Sequence, residues 1–275
     1  MSILLTTHRY GYEIALGTTT KALKLLEQLT AAEPALGLSA IARRAKVEKA
    51  TTYRLMAELC AAGFAEQNPR SKLYRLGPAL IRYANLREQA FPAKRAAAEH
   101  LKRLVDDVRE TAHVTELQGT MLSPVYCQDS LYQSTRVHVN PTEMLPLHAT
   151  SSGKVVLAFS DDDLLKKVLA APMPTRAGNS AVQGSDLKSQ VFEARKSGFG
   201  RSDGEYEKDV SSIAAPLFGG DGRCIGAVSV VCPTARMDAD LGNRVQNALK
   251  IAAHSITQAW GGEIPDHLKT IWGNT

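Results

Sequence analysis

Between Thr18 and Gly63 three helical periodicities follow one another with only short connections, and this crowding restricts the fold more than any other feature of the chain. The first sets Ala22, Leu25, Leu26 and Leu29 at i, i+3, i+4, i+7, with Lys21, Lys24, Glu27 and Gln28 on the other side. Thr18, Thr19 and Thr20 stand where an N-cap is expected, and Pro34 lies just past the end. The second repeats the spacing with Leu38, Ile41, Ala42 and Ala45, and Ser39 is placed to cap it. A turn of four residues, Lys46-Val47-Glu48-Lys49, leads into the third, which runs to Gly63.

The third helix carries two opposed stripes. Thr52, Leu55, Met56 and Leu59 suit packing on the first two helices. Ala50, Tyr53, Arg54 and Ala57 face away, small at two positions and hydrogen-bonding at the other two. A helix that enters a DNA major groove needs that mixture, small where it meets the backbone walls and polar where it meets bases or phosphates. A solvated face with a Tyr and an Arg is the plainer alternative.

The segment after this helix favours the groove. Phe64 to Gln67, the turn Asn68-Pro69-Arg70-Ser71 and Lys72 to Leu76 read as a hairpin with a basic tip, Tyr74 and Leu76 alternating with Lys72 and Arg75. The result is a winged helix-turn-helix over residues 17–77, preceded by an N-terminal tail, 1–16. Charge supports it: residues 1–90 carry 13 Lys and Arg against 7 Asp and Glu, while the other 185 carry 20 against 21. The DNA-contacting set expected from this reading is Ser39, Lys49, Ala50, Thr51, Tyr53 and Arg54, with Arg70 and Lys72 on the wing.

A helical connector over 78–91 crosses Phe91-Pro92 into an amphipathic helix carrying Ala97, Leu101, Leu104 and Val108. Strand-like stretches come at Val114–Leu117, Met121–Gln128 and Arg136–Val139. Ser211 to Val231 reads as a hairpin whose turn, Gly219-Gly220-Asp221-Gly222, offers positive φ angles. A last helix spans about 238–260, with Leu241, Val245, Leu249, Ala252 and Ile256 on one side. The fold class is thus α+β, with a second domain over 92–260 and a C-terminal tail over 261–275.

Several functions are disfavoured. No apolar run approaches the roughly 18 residues of a membrane span, and the first ten residues do not read as a secretory signal. Cys60, Cys127, Cys224 and Cys232 are scattered, as reduced cytoplasmic thiols would be, and the seven histidines lack metal-binding spacing, so neither metal nor cofactor is expected. Ser151-Ser152-Gly153-Lys154 matches an SxxK nucleophile motif but has no KTG or SDN companion, so no catalytic residue is assigned. Asp161-Asp162-Asp163 reads as the acidic start of a helix over 164–169.

The runs Ala40-Ile41-Ala42-Arg43 and Ala50-Thr51-Thr52-Tyr53-Arg54-Leu55, the Gly63-Phe64 step and Tyr74-Arg75-Leu76-Gly77 resemble the DNA-binding half of IclR-type bacterial transcriptional regulators. Leu145 to Lys154, Gly198 to Glu205 and the 211–231 hairpin resemble its effector-binding half, so the likeness covers about residues 17–260. The chain departs from the family in Lys46 and Glu48, where Gly and Ser or Pro are usual, in Ser202 for an acidic residue, which Asp203 next door replaces, and in Ser212 for Cys. The resemblance implies a GAF-like or PAS-like sensor domain, homodimer or homotetramer assembly, a near-palindromic operator and control by a small organic acid, aromatic acids included. It implies an effector site at Ser151, Ser152, Ser202, Ser212, Ser229 and Val231. Thr150 adds a hydroxyl where a helix N-terminus favours an anion, and Met144, Leu145 and Leu147 offer an apolar wall. The alternative is a ligand-sensing module whose winged domain docks a protein rather than double-stranded DNA.

Overall fold

The computed structural model describes residues 17–174 and 184–273, which divide between Pro92 and Ala93 into two units. The expected N-terminal tail lies outside the described residues. The first unit begins with α1 (Thr18–Leu26), α2 (Leu38–Ala45) and α3 (Lys49–Ala61). Their apolar stripes close on one another, and Leu25, Ile41, Leu55 and Met56 are essentially fully buried. The capping residues differ from the sequence reading. Gly17 and Gly37 occupy the N-cap positions without a side-chain bond, so Thr18 and Ser39 already lie inside their helices. Lys46 ends α2 in the left-handed region, φ 54°, and turns the chain into α3.

The wing is β1 (Ala65–Gln67) paired with β2 (Tyr74–Leu76), and α4 (Ala79–Ala90) comes after it. Its turn is longer than expected, six residues from Asn68 to Leu73. Asn68 Oδ1 accepts from the N–H groups of Arg70 and Ser71 at 2.9 and 3.0 Å, and Lys72 takes a φ of 58°. Lys72 therefore sits in the turn rather than on the strand. Leu36 adds a bridge to Tyr74, unseen in the sequence, and fastens the wing to the segment before α2.

The second unit opens with α5 (Ala93–Val108) and builds a six-stranded antiparallel sheet in the order β5-β4-β3-β8-β7-β6. The strands are β3 (Thr111–Gln118), β4 (Met121–Gln128), β5 (Leu145–Pro146), β6 (Gly200–Asp203), β7 (Val210–Phe218) and β8 (Cys224–Pro233). Between β5 and β6 come α6 (Ser151–Phe159), α7 (Asp162–Ala170) and α8 (Gly184–Ser197). After β8 come α9 (Ala239–Ala259) and α10 (Asp266–Trp272). The helices α5 and α9 pack together against the sheet, and α6 crosses β6, β7 and β8. Buried on both sides, β8 is apolar almost throughout, as a doubly covered strand must be.

Four sequence expectations change here. Arg136–Val139 forms no strand and instead runs as irregular chain. The helix expected near Lys154 starts three residues earlier, at Ser151. Within the 219–222 turn only Gly222 takes a positive φ. The stretch set apart as a tail contains α10, with Leu268 and Trp272 buried and the Trp272 ring stacked on Phe199 at 5.6 Å.

Candidate functional site

Two surfaces collect the singled-out residues. On the first unit, Lys49, Ala50, Tyr53, Arg54 and Ala57 are exposed along α3, while Thr52, Leu55 and Met56 point into the core. The helix period alone enforces that division. Thr52 Oγ1 donates to the Glu48 carbonyl at 3.0 Å, so this threonine is a structural residue. Tyr53 is 62% exposed, leaving its ring and hydroxyl open on this face. Arg54 lies 3.6 Å from Glu58 one turn on, a contact between two exposed groups that holds the guanidinium only weakly. Glu48, before the first turn, accepts from the Thr51 hydroxyl at 3.4 Å. Ser39 is exposed on α2, and Arg70 and Lys72 are exposed in the wing turn. Arg75 is held across the wing by Glu66 at 2.7 Å.

The second surface is a cavity of about 210 Å³ in the second unit. Its wall is built where α6 begins. Thr150, the N-cap, accepts from the Gly153 N–H at 3.0 Å and donates to the Pro146 carbonyl at 2.8 Å. The N–H groups of Ser151 and Ser152, in the first turn, have no partner within the helix and form its positive end. Two glycines permit the approach. A Cβ on Gly153 would stand 2.3 Å from the Leu147 carbonyl oxygen, and one on Gly200 would stand 2.1 Å from that of Ser151. The start of α6 thus lies directly on β6 and on the chain before it.

The sheet supplies the floor. Ser202, Ser212 and Val231 stand in register across β6, β7 and β8, and all three line the cavity. Of the sequence-derived set, Leu145, Thr150, Ser151, Ser152, Ser202, Ser212 and Val231 come together there. Four do not. Ser229 is fully buried behind the wall, its hydroxyl donating to the Ile213 carbonyl at 3.1 Å and lying 3.2 Å from Ser151 Oγ. Leu147 is core, Met144 is half-buried outside the lining, and Asp203 points off the exposed side of β6, accepting from Ser211 Oγ at 2.6 Å. Asp203 therefore does not stand in for an acid at position 202, because neighbouring strand residues face opposite sides.

The remaining lining comes from residues that the sequence did not single out. They include His113 on β3, Val137 to Asn140 and Glu143 in the irregular segment before β5, and Tyr206 and Glu207 in the loop after β6. Tyr206 Oη donates to Glu143 Oε1 at 2.8 Å and so ties two of these segments together. His113 is 4% exposed, and burial pushes its imidazole down to about 4 from 6.5, so the ring is neutral at physiological pH. One signal pointed to it, a polar residue set between the apolar Ala112 and Val114 in the buried half of the strand. His148, by contrast, is structural, with Nε2 3.1 Å from the Pro174 carbonyl oxygen. Lys154 is also buried, its ammonium bonded to Glu205 and to the Arg201 carbonyl, which anchors α6 to the loop carrying Tyr206 and Glu207. Burial lowers its pKa despite the support from Glu205. Among the described residues, no cluster of His, Cys, Asp and Glu could hold a metal ion, and no helix is long and apolar enough to cross a membrane.

Comparison with known proteins finds two family models on the chain, the IclR helix-turn-helix domain at residues 18–69 and the bacterial transcriptional regulator IclR C-terminal domain at residues 89–258. The probable transcriptional regulator SauR of Cupriavidus necator is 30% identical over 227 residues, covering 80% of this chain and 87% of that protein. A crystal structure assigned to an IclR transcriptional regulator from Silicibacter sp. TM1040 superposes with a TM-score of 0.84 at 38% identity, covering 91% of this chain and 98% of the other. An IclR homolog from Microbacterium hydrocarbonoxydans, crystallised with 4-hydroxybenzoate, shares the fold with a TM-score of 0.74 at 23% identity, covering 89% and 99%.

Proposed function

This chain belongs to the IclR family of bacterial transcriptional regulators, and we propose that it binds a near-palindromic operator as a homodimer or homotetramer and releases or grips it in response to a small carboxylic acid. Members of the family are regulators rather than enzymes, which leaves the SxxK match at Ser151 as the first turn of a helix. A helix-turn-helix of this family implies DNA as the partner and disfavours a protein-docking wing. In this reading Tyr53 and Arg54, with Lys49, Ala50 and Thr51, meet base edges and phosphates. Ser39, Arg70 and Lys72 touch the DNA backbone, and the site of action is the cytoplasm.

One observation carries the ligand half of the proposal. The positive end of α6 opens into a cavity whose floor is hydroxyls and apolar side chains, with His113, Glu143 and Glu207 among the other lining residues. Such an end stabilises a carboxylate through backbone N–H donors and the helix dipole without any buried cation. A cavity of about 210 Å³ lies below the roughly 300–1,000 Å³ common for drug-sized ligands, which favours a small metabolite. The Microbacterium relative holds an aromatic acid, and an acid of that class is a sensible first probe.

The test is binding of the full chain to DNA fragments from its own promoter region, with and without sodium 4-hydroxybenzoate and short-chain carboxylates. Saturable, salt-sensitive retention of one fragment, altered by an acid that also raises the melting temperature, is expected. Equal binding to every fragment, indifferent to all the acids, would contradict the proposal.

A further inference from the structure

Two polar atoms in the effector cavity are buried without a hydrogen-bond partner, His113 Nδ1 and Ser152 Oγ. Buried polar groups are almost always satisfied, because leaving one unpaired costs on the order of 1–3 kcal/mol. Two such atoms lining one cavity therefore point to something that enters it. Both residues are more than nine-tenths buried, at 4% and 1% exposure. They come from different elements, the central strand β3 and the first turn of α6. The register brings them near each other: His113 lies opposite Ser229 on β8, and the Ser229 hydroxyl is 3.2 Å from that of Ser151, the neighbour of Ser152.

We propose that His113 and Ser152 are the specificity-determining pair of the effector site, recognising an uncharged hydroxyl on a hydroxy-monocarboxylic acid whose carboxylate sits at the start of α6. The inference rests on the effector reading above and deepens it. The carboxylate already has donors in the first-turn N–H groups. The second polar group of the ligand must then satisfy a neutral imidazole and a hydroxyl, partners that suit a group able both to donate and to accept. A second carboxylate fits poorly, since a neutral imidazole and a hydroxyl give it no cation to offset the cost of burying its charge. A purely apolar tail fits poorly too, because it would leave both atoms buried and unpaired.

Matched pairs of acids differing by one hydroxyl test this: propionate and lactate, benzoate and 4-hydroxybenzoate, with succinate as the dianion. Their Kd values are measured by calorimetry on the full chain and on His113→Leu, His113→Asn and Ser152→Ala. In at least one pair the hydroxy acid is expected to bind about ten- to a hundredfold tighter than its parent. His113→Leu and Ser152→Ala should erase that preference, whereas His113→Asn, which keeps a polar atom near the place of Nδ1, should retain most of it. Should His113→Leu fail to fold, Ser152→Ala decides the matter alone. Acids that bind with no hydroxyl preference, or with one that survives both substitutions, overturn the pair's role and leave the effector cavity standing. If no acid in the panel binds the unaltered chain at millimolar concentration, the acid-effector reading falls and this inference falls with it.

Discussion

The exposed face of α3 and the interior start of α6 both offer hydrogen-bonding groups at a helix, and they do so under opposite conditions. On α3 the side chains of Tyr53 and Arg54 stand in water, and the nearest partner of Arg54 is an exposed Glu58. Their loss should hardly disturb the fold, since exposed pairs contribute about 0–1 kcal/mol. At α6 the hydroxyls and the His113 ring are out of water, and each unpaired atom weighs on the stability of the domain. A surface that must accept and release a long polyanion can afford solvated, salt-screened groups. One that must tell small molecules apart needs desolvated groups, because only there does a missing partner cost enough to discriminate.

The sharpest way to break this contrast is at the contact that seats α6. Gly200→Ala puts a Cβ 2.1 Å from the Ser151 carbonyl oxygen, in backbone that cannot yield cheaply. It should lower unfolding stability by about 3 kcal/mol in urea titration and abolish any acid response. A loss under about 1 kcal/mol would mean that the α6 seat adapts freely.

Next in size is the pH dependence of His113. Its folded pKa is lowered to about 4 from 6.5, so the unfolded chain binds the proton more readily. The stabilisation is complete above about pH 6.5 and is lost as the pH falls toward 4. At about 1.4 kcal/mol per pH unit this amounts to at most about 3 kcal/mol. Urea unfolding of the unaltered chain and of His113→Asn, compared between pH 7 and pH 4, should diverge by that amount at the acid end. Parallel curves would show that the ring is not held neutral.

Smaller effects are expected on α3. Tyr53→Ala and Arg54→Ala should each weaken operator binding by about 1–3 kcal/mol in gel-shift titration, while unfolding stability stays within about 0.5 kcal/mol. A stability loss as large as the binding loss would erase the distinction between the two surfaces. Smallest of all, Arg70→Ala in the wing should weaken binding to every DNA sequence alike and reduce the salt slope of log K by about one. An effect limited to one base position would assign Arg70 to base reading instead.

The legibility of the two regions differs for the same reason. The two stripes of α3 come from the helix period, so the separation of Thr52, Leu55 and Met56 from Tyr53 and Arg54 was visible in the sequence. The β7–β8 hairpin was visible through two largely apolar runs joined by turn glycines, and α9 through a long apolar face. Caps were less legible: Ser39 has the right chemistry, yet Gly37 already holds the N-cap geometry one position before the helix begins. In the cavity, nothing in the sequence marked 200–203 as a strand, so the opposite facing of Ser202 and Asp203 emerged only with β6. Ser229 and Leu147 belong to the right segments and are carried behind the wall by packing. Tyr206 and Glu143 have no periodicity to read, and the strand-like pattern of Arg136–Val139 misleads, because irregular chain takes its place from what it packs on.

By itself the amino-acid sequence determined the first three helices and the wing of the first unit, the β7–β8 hairpin and α9, the two-part division with its basic first third, and the outward face of α3, all of which depend on residues close together in the chain. Only the tertiary structure decided which side chains share the cavity. His113, Ser152, Ser202 and Tyr206 meet because antiparallel register and two close backbone approaches at Gly153 and Gly200 bring them together. Contacts between residues so distant in the chain are set by the packing of whole elements, and no local pattern records them.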